Sequence, residues 1–500
     1  MIHRKRVSGT IFRLFLLAGL FLGSGWVITA QETAGKESQA AKRLTPDTAV
    51  EMAIKNNLNL ETARVALDIK KRKYSYVWNQ FLPALGVNGT LANSHQDTST
   101  PSQVIPIIPS LTPGAGQKLS YDGISGYFNP DIFAPDPNTL PQWNVIGNFT
   151  ATLDLSIALF EGVRSTRLDY AAGQVSFEKA KLQVEQGVRK VYNQILLLEA
   201  NAALLRENYN NAKRQADQAE ANYKAGLAPR LTWLQAQVAL QNLQPSIDDL
   251  DNAIKNLKGN FAILLGLPYD VPIELEPISL DVSYVTSDAA ELISKAATGK
   301  PDIQELRAGI IALQSQRKAI ALQQFTPYLH FGFTWSGMYN PMLDPFKDGA
   351  SNWFKGVNWN GSNTFSITLG YNFNSLFPFT KEGQQRKDMD AAIQMQNITL
   401  GQKIREAELE VYSSINTLEK IRTSTTAQQA AVDLADQSYK LTEEAYKAGL
   451  QDFLAVQSSA LALEQAKLQL LTQQYSFINT LIDLEYSIGV PFGTLSSNGK

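Results

Sequence analysis

The chain repeats itself, and that repetition limits its possible folds more than any other feature. Tyr223-Lys224-Ala225-Gly226-Leu227 returns as Tyr446-Lys447-Ala448-Gly449-Leu450, and Gly266-Leu267-Pro268 returns as Gly489-Val490-Pro491, both after 223 positions. Leu231, Ala239, Leu240 and Asn256 match Leu454, Ala462, Leu463 and Asn479 at the same offset, so this alignment runs without a gap. Upstream, Phe81-Leu82-Pro83-Ala84-Leu85 resembles Phe325-Thr326-Pro327-Tyr328-Leu329, and Leu159-Phe160-Glu161-Gly162 resembles the stretch from Phe377 to Gly383. Self-similarity on this scale means one architectural unit built twice. Two structural repeats are expected, at 31–268 and 287–491, with an inter-repeat linker at 269–286 and a C-terminal tail at 492–500.

Each repeat reads in the order helix, strand, long loop, strand, very long helix, tip, return helix. In the first, Val184, Val188, Val191, Ile195, Leu198, Ala202, Leu205, Tyr209, Ala212, Ala216, Ala219 and Tyr223 alternate steps of four and three, the spacing of a coiled-coil seam. The seam of the second is weaker: Ile404, Ala407, Val411, Leu418, Ile421, Val432, Ala435, Tyr439 and Tyr446 keep phase, while Ser414, Thr425 and Gln428 interrupt. Long helices are predicted over 162–225 and 383–448, and return helices over 231–265 and 453–488. A Pro-free helix of that length extends roughly 90 Å at 1.5 Å per residue, more than a single globular domain accommodates. Small seam residues allow close approach, as in many helices side by side in a cylinder; an ordinary two-stranded coiled coil is the alternative. Pro245 in the first return helix has no counterpart in the second and is expected to kink it.

Strict alternation marks four strands, predicted at 84–92, 147–159, 328–337 and 364–374. In the second, Phe149, Ala151, Leu153, Leu155, Ile157 and Leu159 share one face, with Asn148, Thr150, Thr152, Asp154 and Ser156 on the other. The third sets Phe331, Phe333 and Trp335 against His330, Gly332, Thr334 and Ser336, and the fourth sets Phe365, Ile367, Leu369, Tyr371 and Phe373 against Ser366, Thr368, Gly370, Asn372 and Asn374. The first strand sets Leu85, Val87 and Leu91 against Gly86, Asn88 and Thr90. One face suits lipid and the other water, and runs of about 9–11 residues match a tilted strand crossing a bilayer. Four strands leave open edges that a membrane does not tolerate, so this reading requires oligomerisation. Two copies would fill their interior with side chains; three leave room for an aqueous passage. A pair of soluble hairpins is the alternative. The connections, 93–144 rich in Pro and 338–363 rich in Asn, Gly and Trp, read as surface loops facing the exterior.

Residues 1–30 read as a signal peptide: His3, Arg4, Lys5, Arg6 and Arg13 surround or precede an apolar run from Leu14 to Leu22, with small residues near Ala30. The run is broken by Gly19, Gly23, Ser24 and Gly25 and falls short of the about 20 residues a spanning helix needs. With no cysteine, neither disulfides nor thiol chemistry is available. A formal charge of −2 gives no reason to expect a nucleic-acid partner. Of three histidines, His95 lies in the Pro-rich loop and His330 on a strand, too isolated for a metal pair, and no nucleotide-binding or hydrolase motif occurs. No catalytic residue, metal site or cofactor is expected, so energy for any transport must come from a partner.

The export signal, the duplicated strand-and-helix order, Leu159-Phe160-Glu161-Gly162 after the second strand and the Tyr-x-x-Gly tips together resemble the outer-membrane efflux protein family of TolC-like channel-tunnels, over essentially the whole mature chain. The resemblance implies a mainly α fold with membrane β: a homotrimer with four transmembrane strands per protomer in a twelve-stranded β-barrel, continuous with a twelve-helix periplasmic α-barrel. It implies residence in the outer membrane of a Gram-negative bacterium, surrounded by outer-membrane lipid and reaching into the periplasm. The function implied is a passive exit duct of a tripartite efflux or type I secretion system, working with a periplasmic adaptor (membrane fusion) protein and an inner-membrane transporter. A non-channel trimeric coiled-coil scaffold or adhesin at the cell surface is the competing reading.

Gly226 and Gly449 can take the left-handed conformation that ends a helix, which sets the tips at Tyr223 to Thr232 and Tyr446 to Ala455. In the resembling family the tips dock the adaptor and hold the tunnel shut. Carried over, docking falls on Ala225, Gly226, Leu227, Ala448, Gly449 and Leu450, and gating on Tyr223, Gly226, Arg230, Tyr446, Gly449, Gln451 and Asp452. Leu227 and Leu450 replace a frequent threonine. Where some members carry two aspartates as a cation-binding ring, Thr232, Gln235, Ala455 and Ser458 stand here, a departure that argues against an acidic ring.

Overall fold

A computed structural model describes residues 42–93, 118–121, 124–127, 143–280, 282–283, 288–339 and 359–496. The expected signal peptide at 1–30, His95 and most of the connection after the first strand lie outside these residues. The elements are β1 (Lys42–Leu44), α1 (Pro46–Asn56), α2 (Leu58–Ser75), β2 (Ala84–Asn93), β3 (Lys118–Tyr121), β4 (Ile124–Tyr127), β5 (Trp143–Ser156), α3 (Ala158–Lys224), α4 (Arg230–Leu264), β6 (Ile273–Leu275), α5 (Ala289–Gly299), α6 (Pro301–Phe325), β7 (Tyr328–Tyr339), β8 (Trp359–Gly370), α7 (Lys381–Lys447) and α8 (Phe453–Ile488).

The repeat is visible as geometry. Both α3 and α7 run for 67 residues, about 100 Å at 1.5 Å per residue, and their ends stand at the same 223-residue offset as the sequence motifs. Each repeat opens with two helices where the sequence pattern indicated one. α1 stops at Asn57, whose side chain instead accepts hydrogen bonds from the Asn59 and Leu60 amides and starts α2. α5 stops at Lys300, held extended at ψ 128° because Pro301 follows, and Pro301 then occupies the first turn of α6.

The second repeated motif marks a close backbone approach. Gly266 and Gly489 take φ +72°, and each ends its return helix with amide bonds back to the last turn, Leu267 to Ala262 and Val490 to Glu485. A Cβ on Gly266 would collide with the carbonyl oxygen of Asn56, and one on Gly489 with that of Gly299. The end of α4 is thereby seated on the end of α1, and the end of α8 on the end of α5.

Two larger cores stabilise the helices away from the tips, one centred on each repeat. The first joins Leu44, Ala49, Val50, Ala53, Val188, Tyr192, Ile195, Phe261, Leu265 and Ile273. The second joins Leu292, Ala296, Ile303, Ala407, Val411, Leu418, Phe477, Leu481 and Leu484. The linker is more than a connection: β6 pairs in parallel with β1, and the Tyr192 hydroxyl lies 2.8 Å from the Leu44 carbonyl and 2.7 Å from that of Glu276. The tail is also anchored as far as Ser496. Buried Glu485 accepts hydrogen bonds from the amides of Gly493 at 2.8 Å and Leu495 at 2.7 Å.

β2, β5, β7 and β8 form one antiparallel sheet in that order. Its strands depart from the predicted spans. β5 ends at Ser156, so Ile157 and Leu159 leave the strand and Ala158 begins α3, burying its side chain. β8 ends at Gly370, which puts Tyr371 and Phe373 beyond it, in ring contact 5.0 Å apart. β7 and β8 reach Tyr339 and Trp359, so the second connection is confined to 340–358, outside the described residues. Register aligns the apolar set Ala151, Phe333 and Phe365 on one face and Thr150, Thr334 and Thr364 on the other. His330, isolated in the linear sequence, faces Asp154. Leu85 and Val87 on β2 and Phe365, Ile367 and Leu369 on β8 are each more than half exposed. Among the described residues both outer strands also present an unpaired backbone edge.

The remaining repeated motifs meet where sheet becomes helix. Phe81 packs against Phe160 at 5.6 Å, and Glu161, buried at the start of α3, accepts a 2.9 Å hydrogen bond from Ser315 on α6 and lies 3.4 Å from Lys318. In the second repeat the Arg386 guanidinium lies 4.9 Å above the Phe325 ring, and Gln324 donates to the Glu382 carbonyl at 2.7 Å.

Candidate functional site

The end of the helices farthest from the sheet carries the two tips. Gly226 and Gly449 both have φ +74°. The Leu227 amide donates to Asn222 at 2.8 Å and that of Gly226 to Tyr223 at 3.0 Å; Leu450 to Ala445 and Gly449 to Tyr446 repeat these distances. This paired closure satisfies carbonyls that a helix end leaves open. Ala225 and Ala448 are the C-caps of α3 and α7.

The return helices start differently. Pro229 precedes α4 without a side-chain cap, whereas Asp452, at the matching position, accepts a 2.8 Å hydrogen bond from the Ala455 amide. The Asp452 carboxylate is therefore engaged in capping, and its charge lies at the positive end of the helix dipole. Arg230, the first residue of α4, is exposed; its counterpart is Phe453, which is buried.

The two tips join in a small apolar cluster. Ala216, Ala219, Ala236 and Phe453 are buried, with Trp233, Ala239, Leu240 and Tyr446 packed around them. Tyr223 stacks on Trp233 with centroids 5.6 Å apart and planes 5° from parallel, while Tyr446 meets Phe453 edge-on at 6.2 Å. Burial pushes the Tyr446 hydroxyl pKa upward, so it stays neutral across the physiological range. The structure thus brings Tyr446 into contact with the first repeat's small seam residues and leaves Gly226, Leu227, Arg230, Gly449, Leu450 and Gln451 on the surface. Sequence reading missed Trp233, Ala236 and Phe453. Aromatic residues in the first turn of each return helix were the available signal.

Outside the cluster an apolar ridge is uncovered. Leu227 and Leu450 are each 79% exposed, and Leu231 and Val238 with their counterparts Leu454 and Leu461 are more than half exposed. Both hairpins present this ridge at equivalent repeat positions. Among the described residues no group of three metal-ligating side chains converges, and what the tips show is apolar and aromatic packing.

The fold has counterparts. A profile of the family "Outer membrane efflux protein" matches residues 49–266 and 292–490. The pyoverdine export outer membrane protein OpmQ of Pseudomonas aeruginosa is 24% identical over 381 residues, spanning 73% of this chain and 74% of that protein. The probable efflux pump outer membrane protein TtgC of Pseudomonas putida is 21% identical over 446 residues, 88% of this chain and 82% of its own length. Among solved structures, CusC superposes with a TM-score of 0.67 over 93% of this chain and 96% of its own at 16% identity. VceC of Vibrio cholerae gives 0.65 over 89% and 96% at 17% identity. With the profile covering both repeats and most of the chain, the protein belongs to the outer membrane efflux protein family.

Proposed function

We propose that three copies of this chain form an outer-membrane exit duct: their sheets close a twelve-stranded barrel, their helices line a periplasmic tunnel, and the paired tips shut its inner end. The observation that carries the reading is the open sheet, four strands of bilayer-spanning length with two bare edges and an apolar face that no helix of the described chain covers. Closure with sister sheets satisfies the edge groups, and lipid accounts for the apolar face. The ridge shared by both hairpins supports a ring, since equivalent surfaces on alternate helix pairs can pack side by side.

Opening then separates the tips around the Tyr223–Trp233 and Tyr446–Phe453 contacts while the sheet stays fixed. Ala225, Gly226, Leu227, Ala448, Gly449 and Leu450 are the surface offered to a periplasmic adaptor, and an inner-membrane transporter supplies the energy. Planar-bilayer recording tests the duct. Protein carrying Trp233→Ala with Phe453→Ala, which removes both aromatic tip contacts, should conduct stably while the unaltered protein remains mostly closed. No current from any tip-opened variant would favour a non-conducting scaffold.

A further inference from the structure

The four sheet strands contain one carboxylate, Asp154, and one imidazole, His330, with no Lys, Arg or Glu. These two stand directly opposite each other in the β5–β7 register, and His330 Nδ1 lies 2.6 Å from Asp154 Oδ1. Both belong to the polar face, two residues along each strand from the Ser156–Tyr328 pair where the sheet gives way to helix. Gly332 makes room for the ring: a Cβ there would come within 3.2 Å of His330 Nε2 and 2.8 Å of Ser366 Oγ. From β8, His330 meets Thr368 in register, and its neighbours along the same face of β7 are Tyr328 and Gly332. Asp154 is therefore the only charged strand partner of His330.

We propose that the Asp154–His330 pair sets the charge selectivity of the passage where barrel meets tunnel, admitting inorganic cations over anions when the imidazole is neutral. The inference rests on the duct reading, which makes the polar face the wall of the lumen. Three copies place three such pairs in one ring. With His330 neutral each pair carries one negative charge, and an acidic ring in a low-dielectric wall concentrates cations. Protonating His330 cancels that charge within 2.6 Å and removes the preference. The same contact orients the neutral ring, with Nδ1–H donating to the carboxylate.

Reversal potentials in a potassium chloride gradient, measured on the tip-opened protein at about pH 8 and about pH 5.5, test this. The unaltered pair should give a cation preference at the higher pH that falls by about twofold or more at the lower. Asp154→Asn should remove the preference at the higher pH and turn the channel towards anions at the lower. His330→Gln should keep the cation preference at both. Equal permeability ratios for the paired protein and Asp154→Asn, with conductance intact, would overturn the proposal and leave the duct standing. Absence of conductance throughout would overturn both.

Discussion

At the scale of single residues, four glycines of one conformation do different work. Gly226, Gly266, Gly449 and Gly489 share a left-handed φ, yet a Cβ on Gly226 or Gly449 meets open space while one on Gly266 or Gly489 strikes a backbone carbonyl. Gly226→Ala should therefore cost only the backbone penalty, roughly 1–2 kcal/mol. Gly489→Ala adds a collision with rigid backbone and should lower stability further. Denaturant unfolding of the two variants in detergent orders them, and equal losses would refute the seating of α8 on α5. The glycines were legible because they fell inside repeated motifs. The collisions were not, since Asn56 and Gly299 stand far from their partners in sequence. The contact of His330 with Asp154 was hidden for the same reason, its partner standing on another strand 176 positions away.

At the scale of elements, the long helices were readable because a seam of steps of four and three persists over many turns. The seam alone understates the burial, however: Tyr192, Asn193 and Leu196 are buried beside it, because α3 touches α1, α2, α4, α6 and α8 and so needs a wider apolar surface. β1 and β6 escaped notice because three-residue strands are too short to alternate visibly. Strand ends were misplaced where the alternating apolar pattern continued into the next helix or turn, as at Ile157 and Leu159 after β5. Charge also joins elements. Lys179 on α3 lies 2.7 Å from Asp302 and 2.8 Å from Glu305, both on α6, and Tyr486 on α8 donates to Asp302 at 3.2 Å. Burial acts to raise the pKa of both carboxyls, but the hydrogen bonds and charge of Lys179 outweigh it and hold them below their ordinary values. Depressed carboxyl pKa values mean that their stabilisation is present above the unfolded-state values and is lost as pH falls through the folded ones. Lys179→Met should therefore lower the melting temperature at neutral pH, by leaving two carboxylates facing each other. The deficit should narrow below about pH 4 as they protonate. Thermal unfolding at both pH values checks it, and a deficit independent of pH would assign the loss to packing instead.

At the scale of the whole molecule, the duplication, the seam and the alternating strands each follow local periodicity, and that is why the architecture was legible from one chain. The tip cluster depends on side chains from both repeats meeting in space, and two of its aromatic members, Trp233 and Phe453, lay outside any repeated motif. The account rests on the sheet being completed by sister subunits. Native mass spectrometry of the protein released from membranes in mild detergent tests this most directly. Three copies per particle is the predicted result, and a folded particle of one copy with its sheet intact would contradict it.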